Sequence, residues 1–80
     1  MSWLITSKRL ETAFLAVGLQ VVRIKEEMLI VTTKQGGIYY FFKDDNPNNS
    51  SGFSFNSLDD STLRYTPNSL EELIAWLIKN

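Results

Sequence analysis

Apolar and polar positions divide the chain into two segments of helical period with a β-rich stretch between them. Leu10, Ala13, Phe14 and Val17 recur at i, i+3, i+4 and i+7, which predicts an amphipathic helix over residues 7–17. Thr6 or Ser7 is its expected cap, since a hydroxyl there accepts from the first-turn N–H groups, and Gly18 stands where a left-handed C-terminal cap belongs. Leu4 or Ile5 then packs back as a staple, while Trp3 either lids the core edge or stands out as an anchor for a partner. At the other end Leu70, Leu73, Ile74, Leu77 and Ile78 repeat at helical spacing, with Trp76 on the flank. Either Thr66 caps this helix with Pro67 in its first position, or Ser69 caps it later and Glu72 completes a capping box. Glu71 and Glu72 near its start and Lys79 near its end match the helix dipole.

Between these segments the period shortens to two. Residues 19–25 read as a strand with Val22 and Ile24 on one side and Val21, Arg23 and Lys25 on the other. Residues 28–43, MLIVTTKQGGIYYFFK, read as a hairpin: Val31, Thr32, Thr33, Ile38, Tyr39, Tyr40, Phe41 and Phe42 are β-branched or aromatic, and Gly36 and Gly37 supply the turn. A two-residue loop at Gln35-Gly36 sets Leu29 opposite Phe42, Val31 opposite Tyr40 and Thr33 opposite Ile38. Ile30 and Thr32 then face Phe41 and Tyr39 on the reverse side. Gly36-Gly37 and a three-residue loop with a bulge compete with that turn, and a slip of one residue mixes the two sets. A turn at Glu26-Glu27 sets Ile24 against Leu29 and Val22 against Val31, although Glu-Glu is a poor primed turn and a four-residue loop competes. The expected core face is therefore Val22, Ile24, Leu29, Val31, Ile38, Tyr40 and Phe42.

Residues 44–52, DDNPNNSSG, carry every local loop signal. Beyond them Phe53, Ser54, Phe55 and Asn56 alternate as a short strand, and Leu63 and Tyr65 are candidates for another after Asp59-Asp60-Ser61. The pattern as a whole predicts an α+β fold, one domain over residues 1–80. An antiparallel sheet of three to five strands carries an N-terminal and a C-terminal helix on one face, in the order α-β-β-β-(β-β)-α.

Composition narrows the chemistry. Eighty residues that are 44% hydrophobic, with five Phe, three Tyr and two Trp, suffice for one small core. The chain has no cysteine and no histidine, so disulfides, thiolate nucleophiles, histidine bases and the zinc sites built from those ligands are excluded. The acid pairs Asp44-Asp45, Asp59-Asp60 and Glu71-Glu72 are adjacent in sequence, and adjacent side chains on a strand or helix point apart. With no phosphate loop or nucleophile elbow either, the expectation is a non-enzyme with no cofactor. Asp44, Asn46 and Asn48 alternate as in an EF-hand loop, but Asn49 stands for its glycine and Phe55 for its closing glutamate, so no metal is expected. The apolar runs are far shorter than the ~20 residues of a membrane span, and the N-terminus lacks a secretory pattern, which points to the cytoplasm. The sequons at Asn48 and Asn49 then carry no meaning.

Charge is unevenly spread, with residues 1–43 at +3 and residues 44–80 at −4. A nucleic-acid surface built from Arg23, Lys25, Lys34 and Lys43, with Tyr39 and Phe41 stacking on bases, is one reading. The order helix, three strands, helix resembles that of the double-stranded-RNA-binding domain, which implies a lysine cluster opening the last helix. Here that place holds Ser69-Leu70-Glu71-Glu72-Leu73, which repels phosphate. The favoured expectation is a protein-binding module, an inhibitor or adaptor of the kind mobile elements encode, acting on another protein or on its own copy. Its expected contact residues are Arg23, Ile30, Thr32, Tyr39 and Phe41, the sheet side opposite the expected core.

Overall fold

A computed structural model describes residues 2–60, 62, 65 and 67–80. Its elements are α1 (Trp3–Ala16), β1 (Gln20–Ile24), β2 (Met28–Thr32), β3 (Ile38–Lys43), β4 (Phe53–Ser57) and α2 (Leu70–Lys79). The four strands form one antiparallel sheet in sequence order, β1-β2-β3-β4, and both helices pack on one side of it. The α+β class and the helices on a single face are as the pattern predicts. The further strand expected at Leu63 and Tyr65 involves Leu63, which lies outside the described residues, and Tyr65 is not in a strand.

α1 starts four residues before the predicted position, because Ser2 is itself a good cap: its Oγ accepts from the Leu4 N–H at 3.2 Å. Thr6 and Ser7 are consequently buried inside the helix instead of capping it. Gly18, at φ +84°, ends it as foreseen. The Leu19 N–H donates to the Phe14 carbonyl and the Gly18 N–H to that of Leu15, a Schellman motif that turns Leu19 into the core beside Phe14. α2 takes the later of its two expected starts, since Ser69 Oγ accepts from the Glu72 N–H at 3.1 Å. Its far end is tied to the β2–β3 turn, where Thr33 Oγ1 donates to the Asn80 carbonyl and accepts from the Gly37 N–H.

Turn length decides which side chains the helices cover. In the β2–β3 turn the Gly36 N–H donates to the Thr33 carbonyl, the Thr33 N–H donates to that of Gly37, and Gly36 sits at φ +87°. This is the three-residue loop with a glycine bulge, one residue away from the Gln35-Gly36 turn. Leu29 therefore pairs with Phe41, Val31 with Tyr39 and Ile30 with Tyr40. At the β1–β2 turn Lys25 and Glu26 both take positive φ, 49° and 62°, and three residues again separate the paired ends, so Arg23 meets Leu29 and Val21 meets Val31. Both registers differ by one from those expected, and in a strand that moves a whole row to the other side. Leu29 and Val31 keep their predicted burial, but Val22, Ile24, Ile38, Tyr40 and Phe42 lie on the uncovered face. Val21, Arg23, Tyr39 and Phe41 lie under the helices.

The core thus forms between that covered face and the helices. Phe14 of α1, Leu29, Val31 and Phe41 of the sheet and Leu73 and Leu77 of α2 are fully buried. Phe14 meets the ring of Phe41 at 5.1 Å, and Phe41 stacks on Phe55 of β4 at 4.9 Å. A second aromatic group closes the β4 side, where Trp76 stacks on Tyr65 at 4.8 Å and meets Tyr39 edge-on at 5.2 Å.

Candidate functional site

The residues expected to form one contact surface are split by the register. Ile30 and Thr32 are on the uncovered face, whereas Arg23, Tyr39 and Phe41 are on the covered one, and Phe41 has no exposed surface at all. Arg23 is committed within the fold: Nη1 donates to Ser7 Oγ and Nη2 to Glu11 Oε1, both at 2.9 Å, which staples the edge strand β1 to α1. Burial raises the Tyr39 phenol above its ordinary range, and the nearby charges of Asp59 and Asp60 add to the effect.

The residues of the nucleic-acid reading are also dispersed. Lys25 is in the β1–β2 turn and Lys43 ends β3 at the same end of the sheet, 3.5 Å from Asp45. Lys34 is in the opposite turn, its terminal carbon and nitrogen against Gly18, where a cation suits the C-terminus of α1. The rings assigned to base stacking, Tyr39 and Phe41, are buried. Trp3 is occupied as well, its indole N–H donating to the Glu26 carbonyl at 2.8 Å across the strained β1–β2 turn.

A cleft of about 1140 Å³ lies beside β4, between the 44–51 loop and residues Tyr65, Pro67 and Leu70. The polar groups of its loop wall bind one another. Asp44 accepts from the Asn46 N–H, from Asn49 Nδ2 and from Ser54 Oγ, while Asn49 Nδ2 also donates to the Phe53 carbonyl. These bonds, the one from Ser54 foremost, hold the Asp44 carboxyl below the ordinary carboxylate range. Both its oxygens are thus turned onto the chain's own donors. Among the described residues no group of three acidic side chains is placed to hold a metal, and no helix is long and apolar enough to cross a membrane.

The uncovered face of the sheet is the feature that folding leaves unfilled. Cross-strand pairing lines up Ile24, Met28, Phe42 and Ser54 in one row, Val22, Ile30, Tyr40 and Asn56 in the next, and Gln20, Thr32 and Ile38 in the third. Among the described residues no charged side chain belongs to these rows, although 21% of the chain is charged. Val22 keeps 55% of its surface exposed and Ile24 38%, and the rings of Tyr40 and Phe42 stack on each other at 5.8 Å. β4 gives the face a polar margin, where Asn56 Nδ2 donates to Tyr40 Oη at 3.3 Å. Apolar and aromatic in the middle, polar at one side and without charge, it has the composition of a protein contact centre.

Of the five residues expected from sequence to form a contact surface, only Ile30 and Thr32 lie on this face. For Tyr40 and Phe42 the signal is parity: a glycine able to take positive φ as the third residue of a three-residue loop makes the loop odd, and an odd loop exchanges the two faces, whereas the β1–β2 turn, with Lys25 and Glu26 at positive φ, has no glycine to announce it. No known protein family, curated protein or solved structure matches the chain.

Proposed function

We propose that the chain is a small non-enzymatic protein-binding module, an inhibitor or adaptor, whose contact surface is the uncovered face of its sheet. The observation that carries this reading is the coincidence of contiguous apolar and aromatic rows with a lack of charge among the described residues of the face; the other exposed apolar side chains, Leu4, Ile5, Leu15, Leu58 and Ile78, are not part of those rows. Soluble monomers rarely leave such a contiguous patch bare unless another surface meets it. The face is built on paired strands, so it is preformed and costs little ordering on association.

Replacing Ile30 by Glu tests it. Ile30 is in the middle of the face, so the charge spoils any apolar contact there while the core beneath stays intact. The expected result is loss of all association by the folded variant, with a melting temperature within a few degrees of the parent, since surface changes stay within about 0.5 kcal/mol. Retained association in the folded variant would move the contact surface elsewhere.

A further inference from the structure

We infer that the occupant of the uncovered face is a second copy of this chain, stacked sheet on sheet about a two-fold axis running along β2. The inference rests on the proposed contact face and adds the partner and its orientation.

Side-chain size is graded across the face. β1 contributes the aliphatic Val22 and Ile24, β2 the aliphatic Met28 and Ile30, and β3 the much larger aromatic Tyr40 and Phe42. A two-fold axis parallel to β2 keeps each row at its own height and exchanges β1 with β3. Val22 then lies over Tyr40 of the second copy and Ile24 over its Phe42, with Ile30 on the axis against Ile30. Small meets large in both outer columns, as interdigitating sheet faces require. An axis at right angles to the strands sets β3 on β3 and crowds Tyr40 against Tyr40. The chosen axis also leaves Ser54 and Asn56 of β4 overhanging on both sides, which makes them the wet rim of an apolar centre.

Charge agrees with this occupant, and area sets its strength. A face without charge meets its own copy with no like-charge repulsion, and it offers nothing to the phosphates of nucleic acid or to a charged peptide. The three overlapping strands, about 4.8 Å apart and with five residues rising about 3.3 Å each, span about 14 by 17 Å. Two such faces with their side-chain relief remove roughly 500–1,000 Å² from water, at or below the lower bound for a specific interface, which makes the pairing a weak one. The dimer therefore dissociates on dilution.

Sedimentation of the full chain between about 1 µM and about 500 µM decides the matter. The expected result is a concentration-dependent doubling of the 9.2 kDa chain mass. Ile30→Glu, which sets two carboxylates face to face on the axis, should raise the midpoint concentration by at least ~100-fold. A size swap tests the orientation. Val22→Phe alone and Tyr40→Val alone should each weaken the dimer, and the double variant should regain it, because the two positions meet only between copies. A chain that stays monomeric throughout, or a double variant no better than either single one, overturns the inference. A photo-crosslinker at Val22 in the native cell keeps the underlying proposal separate. A doubled product supports the second copy, a product with a different protein overturns it while sparing the contact face, and a monomer with no crosslink overturns both.

Discussion

The two faces of one sheet, built from alternate residues of the same four strands, have opposite fates. Phe41 is sealed between Phe14 and Phe55, whereas Phe42, the next residue, stacks only on Tyr40 at the surface. Apolar content does not separate the faces, since the uncovered one is rich in Val, Ile, Met, Tyr and Phe and the covered one includes an arginine. What separates them is which face the helices can reach with their own buried stripes, and that follows from two three-residue turns. Hydrophobicity specifies that rows are buried; loop parity specifies which rows.

The sharpest test of that contrast pairs the neighbouring phenylalanines. Phe41→Ala should destabilise by about 3–5 kcal/mol, because it empties the centre of the core. Phe42→Ala should cost less than about 1 kcal/mol in urea unfolding at about 1 µM. Equal costs would mean that the uncovered face is packed within the monomer.

A second test lies where α2 meets the sheet. A Cβ on Gly37 would stand 2.9 Å from the Asn80 carbonyl oxygen and 3.1 Å from Thr33 Oγ1, so Gly37→Ala should push the end of α2 off the turn at a cost of about 1–3 kcal/mol. Gly36, with nothing within 4 Å but φ at +87°, should lose only the roughly 1 kcal/mol of the left-handed conformation when changed to Ala. Thermal melts of the two variants rank them.

Arginine on the covered face gives a smaller effect. Arg23 and Glu11 are only partly shielded, so solvent screens their pair, and a double-mutant cycle with Arg23→Met and Glu11→Gln should return a coupling of about 0.5–1 kcal/mol. No coupling at all would reduce Arg23 to an exposed edge residue.

The smallest effects come with pH. Tyr39 has a raised phenol pKa in the fold, so its contribution to stability is complete below the unfolded value of about 10 and is lost as pH rises through the folded value. An absorbance titration should show two tyrosines ionising late, Tyr39 and Tyr65, and one of the two should vanish in Tyr39→Phe. Asp44 has a lowered pKa, so its contribution is present above the ordinary value of about 3.9 and is lost as pH falls through the folded one. The amides of Asn46 and Ser54 should report that loss by NMR.

Much of the architecture was legible in the chain. The stripe from Leu10 to Val17 and the one from Leu70 to Ile78 fall inside the observed helices or at their last turn, and Gly18 and Ser69 end and begin them as expected. The early start of α1 was missed because the apolar stripe begins at Leu10 and points to the hydroxyls just before it, Thr6 and Ser7, and only tertiary burial shows that they serve inside the helix. Which side of the sheet the helices cover was misread for a different reason. An arginine within a strand marks a solvent face by periodicity alone, whereas the Arg23 side chain reaches Ser7 and Glu11 on a neighbouring helix, a pairing that strand periodicity does not encode.

The Schellman turn at Gly18 has a consequence for the order of folding events. Every strand pairs with its neighbour in sequence, across gaps of three, five and nine residues, so the sheet closes its loops at little entropic cost and forms with two apolar faces bare. α1 is only three residues from β1, and the left-handed Gly18 fixes the direction in which it folds back. The first helix to arrive thus selects the inner side, and α2, reached through the long 58–69 segment, follows it. Gly18→Ala should accordingly slow refolding in stopped-flow fluorescence, where Phe42→Ala leaves the rate unchanged, because a hesitant first helix leaves the sheet with two candidate interiors.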